Sequence, residues 1–457
     1  MISFYKRLRD KTSESKNVGQ SGAATMAGKV LQVVAGTLIG LLLPFALTLP
    51  EVGVFLYVQA IIGVSAIVAQ LGLPLTIPAL VSHAIAIGDS GRARIVTIET
   101  IKMSIISGLA VGCLVGVGTL ALGKNANTLS SEISNHVLLI VPMIATAALL
   151  GVLAEIHRAL YGMVAASFLP IFQALTVCVY VIVALVFKLP LSVSNLLTSS
   201  LLAAGMGIVL GLVQLRRIMR PWARQPIQLA RKSEILAQSW PNLITATSFV
   251  VASQLDIWVV GLGGSASDVG CYGLAQKLGS MLSIPITIVS LTILPHIVTN
   301  WARHRRLYLQ WLLRLSATGA TLAALVGFIS LAGFGNSIIK MAWGDSYSRA
   351  FEVALILGAG QVIFSAGGVS GYVLILLGRQ KVAMVSTLLI AGLTVLLAVW
   401  AMFNFGIVGV AAAYATSSAV QMLTNVLLVR KFYQLRSNAW FINPLRVGHL
   451  LSHVPKS

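Results

Sequence analysis

Asp256 and Lys277 stand where charge is costly, each interrupting chain that is otherwise apolar for many residues on either side. Gln276 adjoins the lysine. The segment that holds them, SDVGCYGLAQK at 267–277, has a worn copy at 50–60, PEVGVFLYVQA, which keeps the amide as Gln59 but not the lysine. A buried ammonium such as Lys277 can meet a diphosphate or an acidic sugar. A buried carboxylate such as Asp256 can bind and release a cation. The two glutamines offer amide donors to sugar hydroxyls. Lys29, in the first apolar run, adds another ammonium. Each residue also has a plainer role. Lys29 sits near a run's end and can snorkel to an interface. Asp256 and Lys277 can form an ion pair between adjacent helices, and the glutamines can bond helix to helix. His83 and His296 offer a proton role that nothing else in the sequence supports.

The elements that must hold these residues follow from composition. Of 457 residues, 57% are hydrophobic and 10% are charged, whereas soluble domains carry about 25% charged residues. Mean hydropathy is +0.91. Lipid must therefore solvate most of the chain. Uncharged runs occur at 30–50, 52–88, 103–123, 133–154, 159–187, 189–215, 235–255, 278–302, 315–339, 353–378 and 382–429. About 20 apolar residues cross a bilayer as a helix. The last run is too long for one crossing and must fold back, with Asn404-Phe405-Gly406 as the turn. The run 52–88 reads as one long helix, kinked by Pro74 and Pro78. Residues 235–267 form one span around Asp256, and 269–302 form another around Lys277. The expectation is an all-α polytopic membrane protein of twelve transmembrane helices.

The 32 lysines and arginines set its orientation. With the N-terminus inside, most fall on cytoplasmic segments, while only Lys124, Lys188, Lys340 and Arg349 fall outside, as the positive-inside rule requires. Both termini are expected in the cytoplasm. The expected organisation is a basic tail at 1–22, a six-helix lobe at 23–218 and a cytoplasmic linker at 219–238. A second six-helix lobe at 239–431 and a cytoplasmic or interfacial tail at 432–457 complete it.

The two copies extend further. With Glu51 laid on Asp268, Val52 falls on Val269, Gly53 on Gly270, Phe55 on Tyr272, Gln59 on Gln276 and Pro78 on Pro295, without a gap. An even number of spans per copy makes the repeat parallel, about an axis along the membrane normal.

Other charges read as structural. Glu99 and Lys102 are spaced for a local ion pair. Glu155, His157, Arg158 and Arg314 read as interfacial, and the basic cluster Arg303 to Arg306 as a contact for anionic headgroups. Cys113, Cys178 and Cys271 lack the spacing of a disulfide framework or a zinc site and read as buried small hydrophobes. No metal site or cofactor is expected. The absence of GxxxxGK[ST], HExxH and GxSxG argues against a nucleotide-driven motor or a hydrolase, so a transporter without enzymatic activity is expected. Nucleic acid is not an expected partner.

LPEVGVFLYVQ at 49–59, QLGLPLTIPALV at 70–81, SQLDIWVVGLGGSASDVGCYGLAQKLGSMLSIP at 253–285 and ILPHIV at 293–298 carry a family resemblance. The chain resembles the bacterial oligosaccharide flippases, the O-antigen and exopolysaccharide exporters of the multidrug-and-toxin-extrusion-like superfamily. That resemblance implies two six-helix lobes around a central cavity. It implies transfer of an undecaprenyl-diphosphate-linked glycan to the outer leaflet of the bacterial inner membrane. Membrane lipids are expected partners, and the energy is expected from an H+ or Na+ gradient or from removal of the product by a glycan polymerase. On this reading Lys29, Gln59, Gln276 and Lys277 line the substrate path and Asp256 couples the ion. Drug extruders of the same superfamily usually carry a carboxylate in the first span, where this chain has Lys29. A cation-coupled multidrug extruder is the alternative. A membrane glycan polymerase fits less well, because the outer loops are short.

Overall fold

Helices account for every regular element among the described residues, as expected where backbone polar groups must be satisfied without water. The computed structural model describes residues 28, 31, 32, 34–123, 128–160, 163–224 and 232–439. In order these are α1 (Val34–Phe45), α2 (Leu49–Ala69), α3 (Leu73–Ala86), α4 (Ser90–Gly123), α5 (Thr128–Ser134), α6 (Val137–Ala159), α7 (Met163–Val186) and α8 (Val193–Met219). Then come α9 (Lys232–Gly263), α10 (Ala266–Met281), α11 (Ile284–Ala302), α12 (Arg306–Trp343), α13 (Ser348–Ala366), α14 (Ser370–Leu376) and α15 (Gln380–Tyr433). Among the described residues, nine helical segments are long and apolar enough to cross a membrane. The chain is a multi-pass membrane protein. Its outward side chains agree: Leu114 is 75% exposed, Leu138 88% and Phe403 79%, tolerable only against lipid.

The chain divides into two compact units, residues 1–254 with 265–270, and residues 255–264 with 271–457. In the first unit α4 lies on α6 through three glycines one turn apart. A side chain at Gly108 would meet the Ala145 Cα at 2.8 Å, and one at Gly112 would meet the Val141 carbonyl oxygen at 2.8 Å. Gly116 continues the line against Val141. Lipid gives no hydrophobic drive for helices to associate, so backbone approach of this kind supplies the packing. Around it lies a core that includes Leu73, Ile77, Val81, Val152, Leu153 and Ile156.

The long run after Val52 breaks earlier than its prolines suggest. Leu71 and Gly72 both take positive φ, 53° and 71°, and the break separates α2 from α3. Pro74 then stands in the first turn of α3, where its missing N–H costs nothing. Backbone handedness at Gly72, rather than Pro74 or Pro78, makes the kink. Close packing explains the glycine: a side chain there would strike the Ser239 carbonyl oxygen and the Leu243 backbone nitrogen on α9, the latter at 2.4 Å.

In the second unit α15 turns back on itself. Gly406 has φ 63° and ψ −149°, outside helical values. A side chain at Gly409 would meet the Ala401 carbonyl oxygen at 2.7 Å, although eight residues of straight helix would separate such positions by about 12 Å. The turn expected at Asn404-Phe405-Gly406 is therefore present. The core of this unit includes Ile297, Leu309, Leu313, Val373, Leu374 and Val429.

After α15 the chain tucks into the second unit. Gln434 takes a left-handed φ of 57° and ends the helix. The Arg436 N–H donates to Gln310 Oε1 at 3.0 Å, the hydroxyls of Ser437 and Ser370 pair at 2.9 Å, and the Ala439 N–H donates to the Ala366 carbonyl at 2.7 Å. Leu435 and Ser437 are buried. Ala366 accepts this bond at the interruption between α13 and α14, where Gly368 has φ 59°.

Candidate functional site

Asp256 lies two turns before the end of α9, about 10 Å along the axis, and is 2% exposed. A buried carboxylate needs donors, and three reach it. The Ile257 N–H donates to Oδ1 at 2.9 Å, while the Tyr272 hydroxyl at 3.1 Å and the Gln276 Nε2 at 3.0 Å donate to Oδ2. Tyr272 and Gln276 are one turn apart on α10, so one helical face presents both. Tyr272 is fully buried. Tyr414, on the returning half of α15, lies within electrostatic reach of the carboxylate. All the donors to Asp256 are uncharged.

Lys277 follows Gln276 directly, and the 100° step of the helix turns it off the face that serves Asp256. No ion pair joins Asp256 to Lys277. The interhelical pair open to the two residues on sequence is thus not formed. The Lys277 side chain is partly buried and has no hydrogen-bond or ionic partner among the described residues. It stands about 16 Å along α10 from the helix start. Such an ammonium is stable only where water or an anion can reach it.

Gln276 is therefore engaged by Asp256. Gln59, partly buried on α2, makes no hydrogen bond among the described residues. Lys29 lies outside the described residues. Tyr272 and Tyr414 were missed by sequence reasoning. Tyr272 had a signal, since it carries a hydroxyl where the first copy has Phe55; Tyr414 had none.

The carboxylates flanking the two copies serve as helix caps. The Thr48 N–H and hydroxyl donate to Glu51 Oε2 at 2.9 and 2.8 Å, opening α2. The Ser265 N–H and hydroxyl donate to Asp268 Oδ2 at 2.9 and 2.8 Å, opening α10. These are capping boxes, so neither carboxylate is free for transport chemistry. Glu99 pairs with Lys102 at 3.0 Å, as its spacing suggests, and also with Lys232 at 3.6 Å. Arg158 holds Glu155 through both carboxylate oxygens, at 2.5 and 2.8 Å. The described residues hold no cluster of histidine, cysteine, aspartate and glutamate fit for a metal ion. No disulfide joins the three cysteines; Cys178 and Cys271 are buried as expected, but Cys113 is exposed.

Residues 18–301 match the model of a family described as polysaccharide biosynthesis protein. The chain belongs to that family. Asp256, Tyr272, Gln276 and Lys277 all fall within the matched stretch. A curated relative, the probable low-salt glycan biosynthesis flippase Agl15 of Haloferax volcanii, is 25% identical over 185 residues. That alignment covers 40% of this chain and spans only 39% of the relative's length. Two solved structures share the fold. One is the inward-facing conformation of a multidrug resistance MATE family transporter of the MOP superfamily, with TM-score 0.71 and 15% identity over 88% of this chain and 94% of that one. The other is the lipid II flippase MurJ in an inward closed conformation, with TM-score 0.68 and 12% identity over 90% of this chain and 87% of that one.

Proposed function

We propose that this protein moves a polyprenyl-diphosphate-linked oligosaccharide across the cytoplasmic membrane by alternating access, for surface polysaccharide synthesis. The observation that carries this reading is the family match over residues 18–301, which contains the intramembrane Asp256 and Lys277. The chemistry supports it. A partly buried ammonium without a counter-ion among the described residues suits a diphosphate or an acidic sugar. The headgroup meets Lys277 while the polyprenyl tail stays in lipid. Gln59, which makes no hydrogen bond among the described residues, and Lys29 are further candidates along the path. Asp256 is the coupling site for H+ or Na+, with Tyr272 and Gln276 holding its carboxylate when the cation is absent. The protein makes and breaks no covalent bond in this scheme. A glycan polymerase that consumes the product is the natural partner. Both termini lie in the cytoplasm, and the short segment before α10 faces outside.

Replacing Lys277 tests the cargo contact. Lys277→Ala should lower surface polysaccharide in cells that make normal amounts of the protein, and Lys277→Arg should retain part of it. Undiminished polysaccharide with Lys277→Ala would falsify the contact. For Asp256→Asn, transport that responds as before to imposed proton and sodium gradients removes Asp256 as the coupling site. A second reading, cation-coupled drug extrusion, draws on the likeness to the multidrug transporter fold. Uptake of a fluorescent cation into inverted vesicles, abolished by Asp256→Asn, would favour it over the first.

A further inference from the structure

The sequence holds no aspartate or glutamate between Asp268 and Asp345, and none after Glu352, while arginines and lysines recur in the same stretches. In the first unit basic groups are answered by carboxylates: Glu99 takes Lys102 and Lys232, and Glu155 takes Arg158. In the second unit Asp345 and Glu352 lie past the end of α12, where Asp345 pairs with Lys340. That helix end is about 44 Å from Arg314. Asp256 is held by Tyr272 and Gln276.

The folded chain gathers basic residues at the start of α12. Tyr433 ties the connections there together: its ring meets Trp301 edge-on at 5.3 Å, and its hydroxyl donates to the Leu377 carbonyl at 2.9 Å. Arg306 lies over the Trp301 ring at 5.0 Å and Arg379 over the Phe432 ring at 4.5 Å. Beside them the segment after α15 brings Arg436 to Arg314. The Arg436 N–H donates to Gln310 Oε1 at 3.0 Å, and Gln310 stands one turn before Arg314 on the same face of α12. The two guanidinium groups lie within electrostatic reach of each other. Like charges held this close repel unless an anion comes between them. The surface around them is amphiphilic. Arg436 is exposed and Arg314 half-buried, while Leu307 is 83% exposed and Leu315, next to Arg314, is 52% exposed.

We propose that Arg314 and Arg436 together hold the phosphate of an anionic membrane lipid, which bridges α12 to residues 434–439 and keeps that segment docked. A guanidinium offers paired N–H donors that fit two phosphate oxygens at once. One phosphate shared by the two arginines turns their repulsion into attraction. Leu307 and Leu315 offer apolar surface to acyl chains, which a free phosphate would not use. The site is independent of the transport reading. It is also distinct from the basic cluster Arg303 to Arg306, because Arg314 and Arg436 are far apart in sequence and meet only when the segment docks.

The test is amide hydrogen exchange over residues 434–439, measured on the full-length protein in nanodiscs of phosphatidylcholine, with and without phosphatidylglycerol. The Arg436 and Ala439 amides are the reporters, since the docked segment hydrogen-bonds both and undocking exposes them to exchange. Phosphatidylglycerol should slow their exchange by about tenfold, the linkage expected with lipid well above its dissociation constant. Arg314→Gln and Arg436→Gln should each remove the slowing. The second keeps the backbone bond to Gln310 and alters only an exposed side chain, so the test survives if Arg314→Gln fails to fold. Lys381→Gln, which removes an exposed basic residue outside the pair, should keep the slowing. Equal exchange in the two lipids overturns the site, as does slowing that persists in Arg436→Gln. Loss of the slowing in Lys381→Gln as well reduces the effect to surface charge and overturns the pair. Inorganic phosphate that slows exchange equally in phosphatidylcholine alone overturns the lipid assignment.

Discussion

The segment around α2 and the segment around α10 keep the same frame and differ in their chemistry. Both open on a hydroxyl residue bonded to a carboxylate three residues on, both place a glycine two residues later, and both carry a glutamine one turn beyond the aromatic. Where α10 has Tyr272, α2 has Phe55; where α10 has Lys277, α2 has Ala60. The residue as far before Thr48 as Asp256 is before Ser265 is Ile39. Asp256, Tyr272 and Lys277 have apolar counterparts in the first copy, and Gln276 alone keeps a polar one, Gln59. Positions that shape the backbone are the same in both copies, and positions that carry protons or charge are present in one. Gln59 shows the result: it makes no hydrogen bond among the described residues, whereas Gln276 is spent on Asp256.

Exchanging the copies' residues breaks or sharpens this contrast. Ile39→Asp places a carboxylate in the first copy without the tyrosine that receives it in the second. It should cost about 3 kcal/mol, the penalty for an unpartnered aspartate within a membrane helix, and be seen as lower yield of folded protein in detergent. If Ile39→Asp proves as stable as the parent, the first copy has hidden donors and the contrast fails. Tyr272→Phe makes the second copy resemble the first and removes one donor to a buried carboxylate. A loss of about 2 kcal/mol is expected from denaturant unfolding. Gln276→Leu removes another donor but buries more apolar surface, so a smaller loss of about 1 kcal/mol is expected. Gln59→Leu should change stability by no more than about 0.5 kcal/mol. If it nonetheless lowers surface polysaccharide, the free amide serves cargo; if it destabilises as much as Gln276→Leu, Gln59 is a helix bond and leaves the substrate path.

Much of this was legible in the sequence for physical reasons. Apolar runs with few charges permit only membrane helices, and an over-long final run demanded the turn now seen at Gly406. Glu99 and Lys102 announced their pairing by spacing alone. Other features were hidden because they depend on contacts remote in sequence. The kink after α2 was assigned to proline, yet it follows from Gly72 lying against the α9 backbone, which no local pattern reveals. Asp256 and Lys277 were both readable as exceptional, but whether they met depended on the faces they occupy. One residue of offset between Gln276 and Lys277 decided that. Tyr414 comes to Asp256 only because α15 doubles back.

The six residues from Gln434 to Ala439 have a bearing on how the molecule is made. They bond to α12, α13 and α14, yet they follow every one of those helices in the chain and are synthesised last. Insertion and completion are therefore separate events. A chain halted at Tyr433 would leave the Ala366 carbonyl and the Ser370 hydroxyl without the partners that Ala439 and Ser437 supply.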